Sequence, residues 1–332
     1  MTREHFLDDI ISSINHADDI NEAEKNQVLR NLAKLKQTKV NLLVTGATGC
    51  GKSSTINAMF NFEKAKVGQG VDPETMTIQK FEMNNVVVFD SPGLGDGLDA
   101  DKRHAKNIIN KLYEKDDEGE MLIDLVLVIL DGSSRDLGTS FELINSVIIP
   151  NLGDDKSRLL VAINQADMAM KGRHWDHKTN MPDNTLLEFL NEKVLSTSRR
   201  IKEATGVDVT PIYYSAGYKE TNDSQHPYNL SKLLAFILHH TKPEKRAVYL
   251  QDINKKTNFS YSDELEGYGQ QVRESFIDSI LGVAGRGADW FGDRGYDLAG
   301  NIGEKVGRVV GNVLGAAVGV VKSVVSRFFS WF

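Results

Sequence analysis

The chain has 332 residues, 40% of them apolar and 26% charged, enough to bury one large core beside a smaller accessory unit, as a folded soluble protein does. Its formal net charge of −7 argues against broad nucleic-acid binding, which calls for a basic face. Cys50 is the sole cysteine, which rules out an intrachain disulfide and fits a reducing, cytoplasmic setting.

The first residues, Met1-Thr2-Arg3-Glu4-His5, lack the basic start and apolar run of a secretory leader, so none is expected. Residues 3–36 read as two helices. Phe6, Leu7, Ile10 and Ile11 share one face of the first. Asn21 with Glu24 forms a capping box for the second, whose apolar stripe is Val28, Leu29, Leu32 and Leu35.

An apolar run at residues 40–44 reads as a strand. It leads into Gly46-Ala47-Thr48-Gly49-Cys50-Gly51-Lys52-Ser53, and a helix-compatible stretch follows from Ser54. This is G-x-x-x-x-G-K-S in the strand–loop–helix setting that a phosphate-binding loop requires. The glycines let backbone N–H groups turn inward around a polyphosphate, aided by the positive end of the helix. Lys52 is placed to reach the β and γ phosphates and Ser53 to hold Mg²⁺. The expected ligand is a nucleoside triphosphate, cradled by Gly46, Ala47, Thr48, Gly49, Cys50, Gly51, Lys52, Ser53 and Ser54. Cys50 reads as a small residue filling its slot.

Further along, a buried strand at residues 86–89 ends in Asp90-Ser91-Pro92-Gly93. A carboxylate there can brace the Mg²⁺ shell, and the Gly93 N–H can sense the γ-phosphate. By itself Asp-Ser-Pro-Gly is also an ordinary turn. The acidic run at 114–120 reads as a solvated helix end and loop. Residues 123–130, apolar except for Asp124, read as a central strand covered on both sides. A strand at 159–163 then delivers Asn164-Gln165-Ala166-Asp167, whose last carboxylate can accept the N1–H and exocyclic amine of guanine, a donor pair that adenine lacks. Residues 171–178 are irregular; their histidines form no complete metal-ligand set, and a surface loop is the better reading. A helix is expected from about Asn184. Finally a strand at 211–214 ends in Ser215-Ala216-Gly217, where a backbone N–H can meet the guanine oxygen. Strands alternating with amphipathic helices from about 38 to 241 imply an α/β fold: a mostly parallel sheet with helices on both faces and the ligand beyond the strand C-termini. The four motifs are expected at the tips of four successive strands.

With these motifs in this order, residues 38–241 resemble the Era-like branch of the translation-factor-related GTPases, and look most like the bacterial proteins labelled 50S ribosome-binding GTPase. More distantly they are similar to immunity-related and dynamin-like GTPases, which also flank the domain with helices. The resemblance implies a P-loop NTPase G domain binding GTP or GDP with Mg²⁺. It also implies that Asn164 and Asp167 read guanine, that Ser215 and Ala216 support it, and that a switch threonine between residues 67 and 77 joins Ser53 and Asp90 at the metal. Thr75 follows a proline as in related switches; Thr77 is the alternative. Lys52, Thr75 and Gly93 are then the residues closest to the chemistry.

Two departures bear on rate and affinity. Gln165 stands where the family has lysine, whose stem packs on the base; weaker binding with unchanged base choice is expected. Leu94 stands where small signalling GTPases carry the glutamine that orients water, and an aliphatic chain cannot do that. Relatives that recover rate through potassium hold it with an asparagine at the position of Gly49, so that route is closed here. Slow intrinsic hydrolysis, accelerated in trans by a second copy or a partner, is the expectation.

The C-terminal end carries a second pattern. Gly303, Gly307, Gly311, Gly315 and Gly319 recur every fourth residue, forming one stripe if helical. Five glycines at about 1 kcal/mol each against alanine call for compensation, such as close approach of another helix. Basic residues and the terminal Phe328-Phe329-Ser330-Trp331-Phe332 suit a lipid interface. The uncharged run from 309 to 321 is shorter than the roughly 20 residues of a membrane span. Three readings stay open for residues 303–332: packing on the N-terminal helices, peripheral membrane association, and self-association through the stripe. The expected organisation is thus an N-terminal helical segment at 1–37, a G domain at 38–243 and a C-terminal helical segment at 244–332. The expected function is a slow, Mg²⁺-dependent GTP switch that dimerises or meets a protein partner, in the cytoplasm or peripherally at a membrane. A ribosome- or RNA-associated assembly GTPase is one rival, and a nucleotide-binding scaffold with negligible turnover another.

Overall fold

The computed structural model describes residues 6–60, 66–67, 78–95, 97–217, 226–254, 257, 262–265, 267–282 and 315–328. Two helices open the chain, α1 (Phe6–Asn15) and α2 (Glu22–Gln37). The expected cap is present: the Asn21 side chain accepts the Glu24 N–H at 3.0 Å, and Val28, Leu32 and Leu35 are buried on one face.

Strand β1 (Val40–Gly46) and helix α3 (Lys52–Met59) follow, then β2 (Lys66–Val67), β3 (Gln79–Glu82) and β4 (Val86–Asp90). Helix α4 (Leu98–Tyr113) leads to β5 (Leu125–Asp131). Beyond β5, α5 (Gly138–Glu142) runs through a π-helical turn at Leu143–Ile148 into α6 (Ile149–Asn151). Strand β6 (Leu159–Asn164) is followed by a two-residue hairpin, β7 (Trp175–Asp176) with β8 (Met181–Pro182), and by α7 (Asn184–Thr205). Strand β9 (Ile212–Tyr213), α8 (Leu230–His240), a 3₁₀ segment at Pro243–Gln251, α9 (Gly267–Leu281) and α10 (Gly315–Phe328) complete the described chain.

Among the described residues the main sheet has seven strands in the order β2-β3-β4-β1-β5-β6-β9. The pairings β4-β1, β1-β5, β5-β6 and β6-β9 are parallel, while β2 and β3 add an antiparallel edge. Side chains alternate between two cores, as the period of two in a strand requires. Leu42, Val44, Val86, Val88, Leu125, Leu127, Leu160 and Ala162 join one core. Leu43, Val87, Phe89, Val126, Val128, Val161 and Ile163 join the other, with α4, the π-helical turn and α7. Parallel strands covered on both faces explain the unbroken apolar runs in the sequence. The fold is that of a P-loop GTPase G domain, an α/β protein with a mostly parallel sheet and flanking helices.

The flanking helices share the first of these cores. Ile10 and Ile14 of α1, Leu32 of α2, Phe276 and Ile280 of α9, and Ala317, Val321 and Val325 of α10 are buried in one cluster with β1 and α3. Packing therefore runs across residues 37/38 and 243/244. Asp252 makes this concrete: its carboxylate accepts the N–H groups of Asn84, Asn85 and Val86 and the Asn84 side-chain amide, at 2.8–3.1 Å. It thereby fixes the turn between β3 and β4.

Helix α10 packs against α1, α2 and α9, and its outward face carries Gly319, Lys322, Ser323 and Ser326. A Cβ added at Gly319 would meet nothing within 4 Å, so among the described residues no helix closes on the stripe there. Gly303, Gly307, Gly311 and the aromatic end from Phe329 lie outside the described residues. No helix among the described residues is long and apolar enough to cross a membrane.

Candidate nucleotide-binding site

The phosphate loop occupies the turn between β1 and α3. Gly49 and Gly51 take φ of 81° and 89°, the left-handed region that glycine enters without penalty. Gly51 is constrained twice, because a Cβ there would stand 2.2 Å from Asn164 Nδ2. Helix α3 starts with no side-chain cap, which leaves its N-terminal N–H groups to an anion. Lys52 Nζ donates to the carbonyls of Gly46 (3.2 Å) and Ala47 (3.1 Å), so its ammonium is held over the loop. The Cys50 thiol is buried, and burial pushes its pKa up to about 11 against the pull of Lys52. Cys50 is thus a packing residue rather than a reactive thiol.

Beside the loop, β4 delivers Asp90 opposite Val44 of β1. Burial pushes its carboxyl up to about 6, and the Lys52 ammonium pulls the other way. Its Oδ1 is buried without a hydrogen-bond partner among the described residues. An orphaned buried carboxylate oxygen is a hard donor of the kind Mg²⁺ takes, and the exposed Ser53 hydroxyl at the start of α3 is a second donor of the same kind. Thr75 and Thr77, the candidates for a further metal ligand, lie outside the described residues.

The segment after Asp90 is tied to the loop. Ser91 Oγ donates to Thr45 Oγ1 at 2.7 Å. Leu94 forms a parallel bridge with Ala47, accepting the Thr48 N–H at 2.9 Å. Gly93 sits so close that a Cβ would lie 2.6 Å from the Thr48 backbone nitrogen. The Leu94 side chain is buried in the core under α4, with Phe89 and Ile108 in the same cluster, which removes it from any role on an attacking water.

On the base side, the residues singled out in the sequence converge. Asn164, at the tip of β6, donates from Nδ2 to Cys50 O at 3.0 Å and accepts the Ala216 N–H at 2.9 Å on Oδ1. Its amide fastens the phosphate loop to the loop after β9. Gln165, at φ 59°, donates from Nε2 to Gly49 O at 2.7 Å, so the glutamine in the lysine position still braces the phosphate loop. Ser215 Oγ donates to Asp167 Oδ1 at 2.6 Å, fixing one carboxylate oxygen and leaving the other for a base edge. Asp167, Ser215 and Ala216 thus belong to one polar cluster joined to the phosphate loop through Asn164 and Gln165. The four motifs occupy the ends of β1, β4, β6 and β9. These are not neighbours throughout, because β5 intervenes between β1 and β6; its tip bears Asp131 and Gly132 instead.

Four contributors, Tyr214, Gly132, Lys193 and His104, have no local motif to announce them. Tyr214 OH lies 2.6 Å from Thr55 Oγ1, which itself donates to Gly51 O, so β9 buttresses the start of α3. The Gly132 N–H donates to Asn164 O at 2.7 Å, and Lys193 Nζ of α7 donates to the carbonyls of Gly132 (2.7 Å) and Ser134 (2.6 Å). His104 of α4 meets Gly93 O at 3.1 Å. Those of Tyr214, Gly132 and Lys193 join residues more than thirty apart in the chain, and that of His104 joins a helix to the loop before it.

In the loop read as irregular, His174 Nδ1 pairs with Asp183 at 2.8 Å, and Asp183 caps α7 by accepting the Leu186 N–H. Among the described residues no cluster of His, Cys, Asp and Glu is arranged to hold a metal through those residues alone.

Comparison with known proteins agrees with this geometry. Residues 41–165 match the family model described as 50S ribosome-binding GTPase. A 101-residue stretch is 36% identical to translocase of chloroplast 108 of Physcomitrium patens, covering 29% of this chain and 10% of that protein. Translocase of chloroplast 101 of the same organism is 35% identical over 101 residues, covering 11% of its length. The chain therefore spans about a tenth of the curated relatives it matches. Among solved structures, Toc33 of Arabidopsis thaliana with Mg²⁺ and GMPPNP is 15% identical, covering 65% of this chain and 88% of that one at a TM-score of 0.39. The LeoA bacterial dynamin GTPase from ETEC is 14% identical, covering 86% of this chain and 44% of that one at a TM-score of 0.38. At these TM-scores the structural likenesses add nothing to the sheet order and the family match. Together, the phosphate loop, the strand-tip residues and the match over residues 41–165 establish that the chain carries a GTP-binding GTPase domain.

Proposed function

We propose that the protein is a Mg²⁺-dependent GTP switch with slow intrinsic turnover, accelerated by a second copy or a protein partner, whose output runs through the helices packed on the G domain. The observation that carries the reading is the junction at Asn164. One side chain ties the phosphate loop to the base loop, while Ser215 presents the Asp167 carboxylate to a purine edge. That arrangement suits a guanine, whose N1–H and amine match a carboxylate.

In this reading Gly46 to Ser54 wrap the phosphates and Lys52 neutralises charge that develops between the β and γ positions. Ser53 and Asp90, with Thr75 proposed as the switch ligand, would hold Mg²⁺, which offsets phosphate charge when bound. The Gly93 N–H senses the γ-phosphate. Slow turnover is supported by Leu94, buried away from the site, and by Gly49, which offers no side chain for a monovalent cation. Acceleration then requires a group from outside the chain.

The family description keeps a ribosome-associated role as the second reading. A net charge of −7 disfavours it, since RNA binding rests on basic surface. The translocase names of the curated relatives bring only the shared domain to this chain, not a transport role. For the tail, burial of Ala317, Val321 and Val325 against α1 and α9 supports packing on the protein, and release to a membrane is the proposal that flotation tests.

The test is phosphate release measured against protein concentration and added potassium. Specific activity that rises with concentration and ignores potassium is expected. Fast turnover independent of both contradicts the proposal. Co-sedimentation with ribosomal subunits but not liposomes, in GTP, favours the second reading.

A further inference from the structure

The hydrolysis-side segment is held from two directions, and the second has no counterpart in the motifs. The phosphate loop grips it from below: the Leu94 N–H points to Gly46 O at 3.4 Å, and Leu94 O accepts the Thr48 N–H at 2.9 Å. Helix α4 grips the same two peptides from the other side. His104 Nδ1 meets Gly93 O at 3.1 Å, and Asp101 Oδ1 accepts the Gly95 N–H at 2.9 Å. The Gly93–Leu94 peptide is thus clamped between Gly46 and His104, and the Leu94–Gly95 peptide between Thr48 and Asp101.

Helical spacing makes this possible, because Asp101 and His104 stand three apart on one face of α4. A carbonyl oxygen can only accept, so His104 Nδ1 must carry the hydrogen. The ring is buried, and its Nε2 has no partner among the described residues, so the backbone carbonyl is the polar contact that orients it. Leu94, buried beneath α4, supplies the apolar anchor between the two polar ones.

We propose that Asp101 and His104 are positioning residues for GTP hydrolysis, fixing the two peptides that follow Gly93 so that its N–H is presented to the γ-phosphate. They touch neither nucleotide nor metal and act through the backbone of Gly93, Leu94 and Gly95. The proposal rests on the GTPase reading. It goes further by assigning to α4 the control of the γ-phosphate sensor, which makes the outer face of α4 a place where a partner can alter turnover.

Four variants of the full-length protein test it: His104→Ala, His104→Asn, Asp101→Ala and Asp101→Asn, each with GDP, the non-hydrolysable GMPPNP, and single-turnover GTP hydrolysis. The alanine variants are expected to lose about tenfold in hydrolysis and in GMPPNP affinity, with GDP affinity within about twofold of the parent. Asparagine at 104 supplies an N–H donor near the Nδ1 position, and asparagine at 101 keeps an acceptor oxygen, so both should recover most of the loss. Equal loss of GDP and GMPPNP binding, asparagine no better than alanine, or unchanged hydrolysis each overturns the proposal. If His104→Ala does not fold, the partly exposed Asp101 pair carries the same test. Failure of the unaltered protein to bind GDP or GMPPNP would undo the GTPase reading itself, whereas normal binding with indifferent variants would sink only the role of α4.

Discussion

At the scale of single residues, Asp90 shows how a site can cost stability until it is filled. Its carboxyl is raised to about 6 in the fold from an ordinary 3.8, so the folded ligand-free chain holds a proton that the unfolded chain has already released. The sign follows: this group contributes least at neutral pH, and its penalty disappears as pH falls through about 6 toward 4. Asp90→Asn should therefore raise the melting temperature of the ligand-free protein at pH 7.5 by a few degrees, the effect of roughly 1–2 kcal/mol, with the gain reduced to about a third at pH 4.5 and lost only below the unfolded value of 3.8. The same variant should abolish the Mg²⁺ dependence of GTP affinity. A thermal scan at pH 7.5 and pH 4.5 without Mg²⁺, and a titration with and without it, measure the two effects; a gain as large at pH 4.5 as at pH 7.5 contradicts the burial account. The identity of this residue was legible in the sequence from its place at a strand tip. Its unsatisfied oxygen was not, because burial depends on β1 and the phosphate loop closing around it. Cys50 is the converse. Proximity to a helix N-terminus suggests a lowered thiol pKa, yet desolvation wins and drives it up to about 11.

At the scale of elements, periodicity carried most of the reading. The strand runs at 40–44, 86–89, 123–130 and 159–163 and the cap at Asn21 correspond to observed elements because each is a local pattern repeated over several residues. Contacts across the chain were not legible. Asp252 sits in a polar stretch with no motif, yet four donors from the turn between β3 and β4 converge on its carboxylate. Asp252→Ala is expected to cost about 2–4 kcal/mol in urea unfolding, because it leaves buried N–H groups without a partner. A loss below about 0.5 kcal/mol would mean that water replaces the carboxylate. In α10 the glycine stripe suggests a tight helix contact, but Gly319 faces outward and meets nothing within 4 Å among the described residues. Gly319→Ala should then stabilise the chain by up to about 1 kcal/mol through helix propensity alone. If the substitution destabilises, or splits a dimer seen by light scattering, another helix does close on the stripe there.

At the scale of the whole molecule, the helices at both ends of the chain join the core that backs the phosphate loop, through Ile10, Leu32, Phe276 and Val321. The sequence separates these segments by composition, and only the fold shows that they bury their apolar faces against the G domain rather than against each other alone. Val321→Asp places a charge in that shared core, and should cost about 3 kcal/mol or more or detach α10 altogether. Limited proteolysis reports the second outcome as early cleavage near the tail, and resistance equal to that of the parent contradicts the packing. The central claim, that a guanine nucleotide lies between the phosphate loop and Asp167, is tested most directly by calorimetry of Asp167→Asn with GTP and xanthosine triphosphate. An amide at this position can donate to the xanthine oxygen and no longer accepts both guanine donors. The variant should lose GTP affinity by about a hundredfold and prefer the xanthine nucleotide. Retained preference for GTP over xanthosine triphosphate would contradict the assignment of the site.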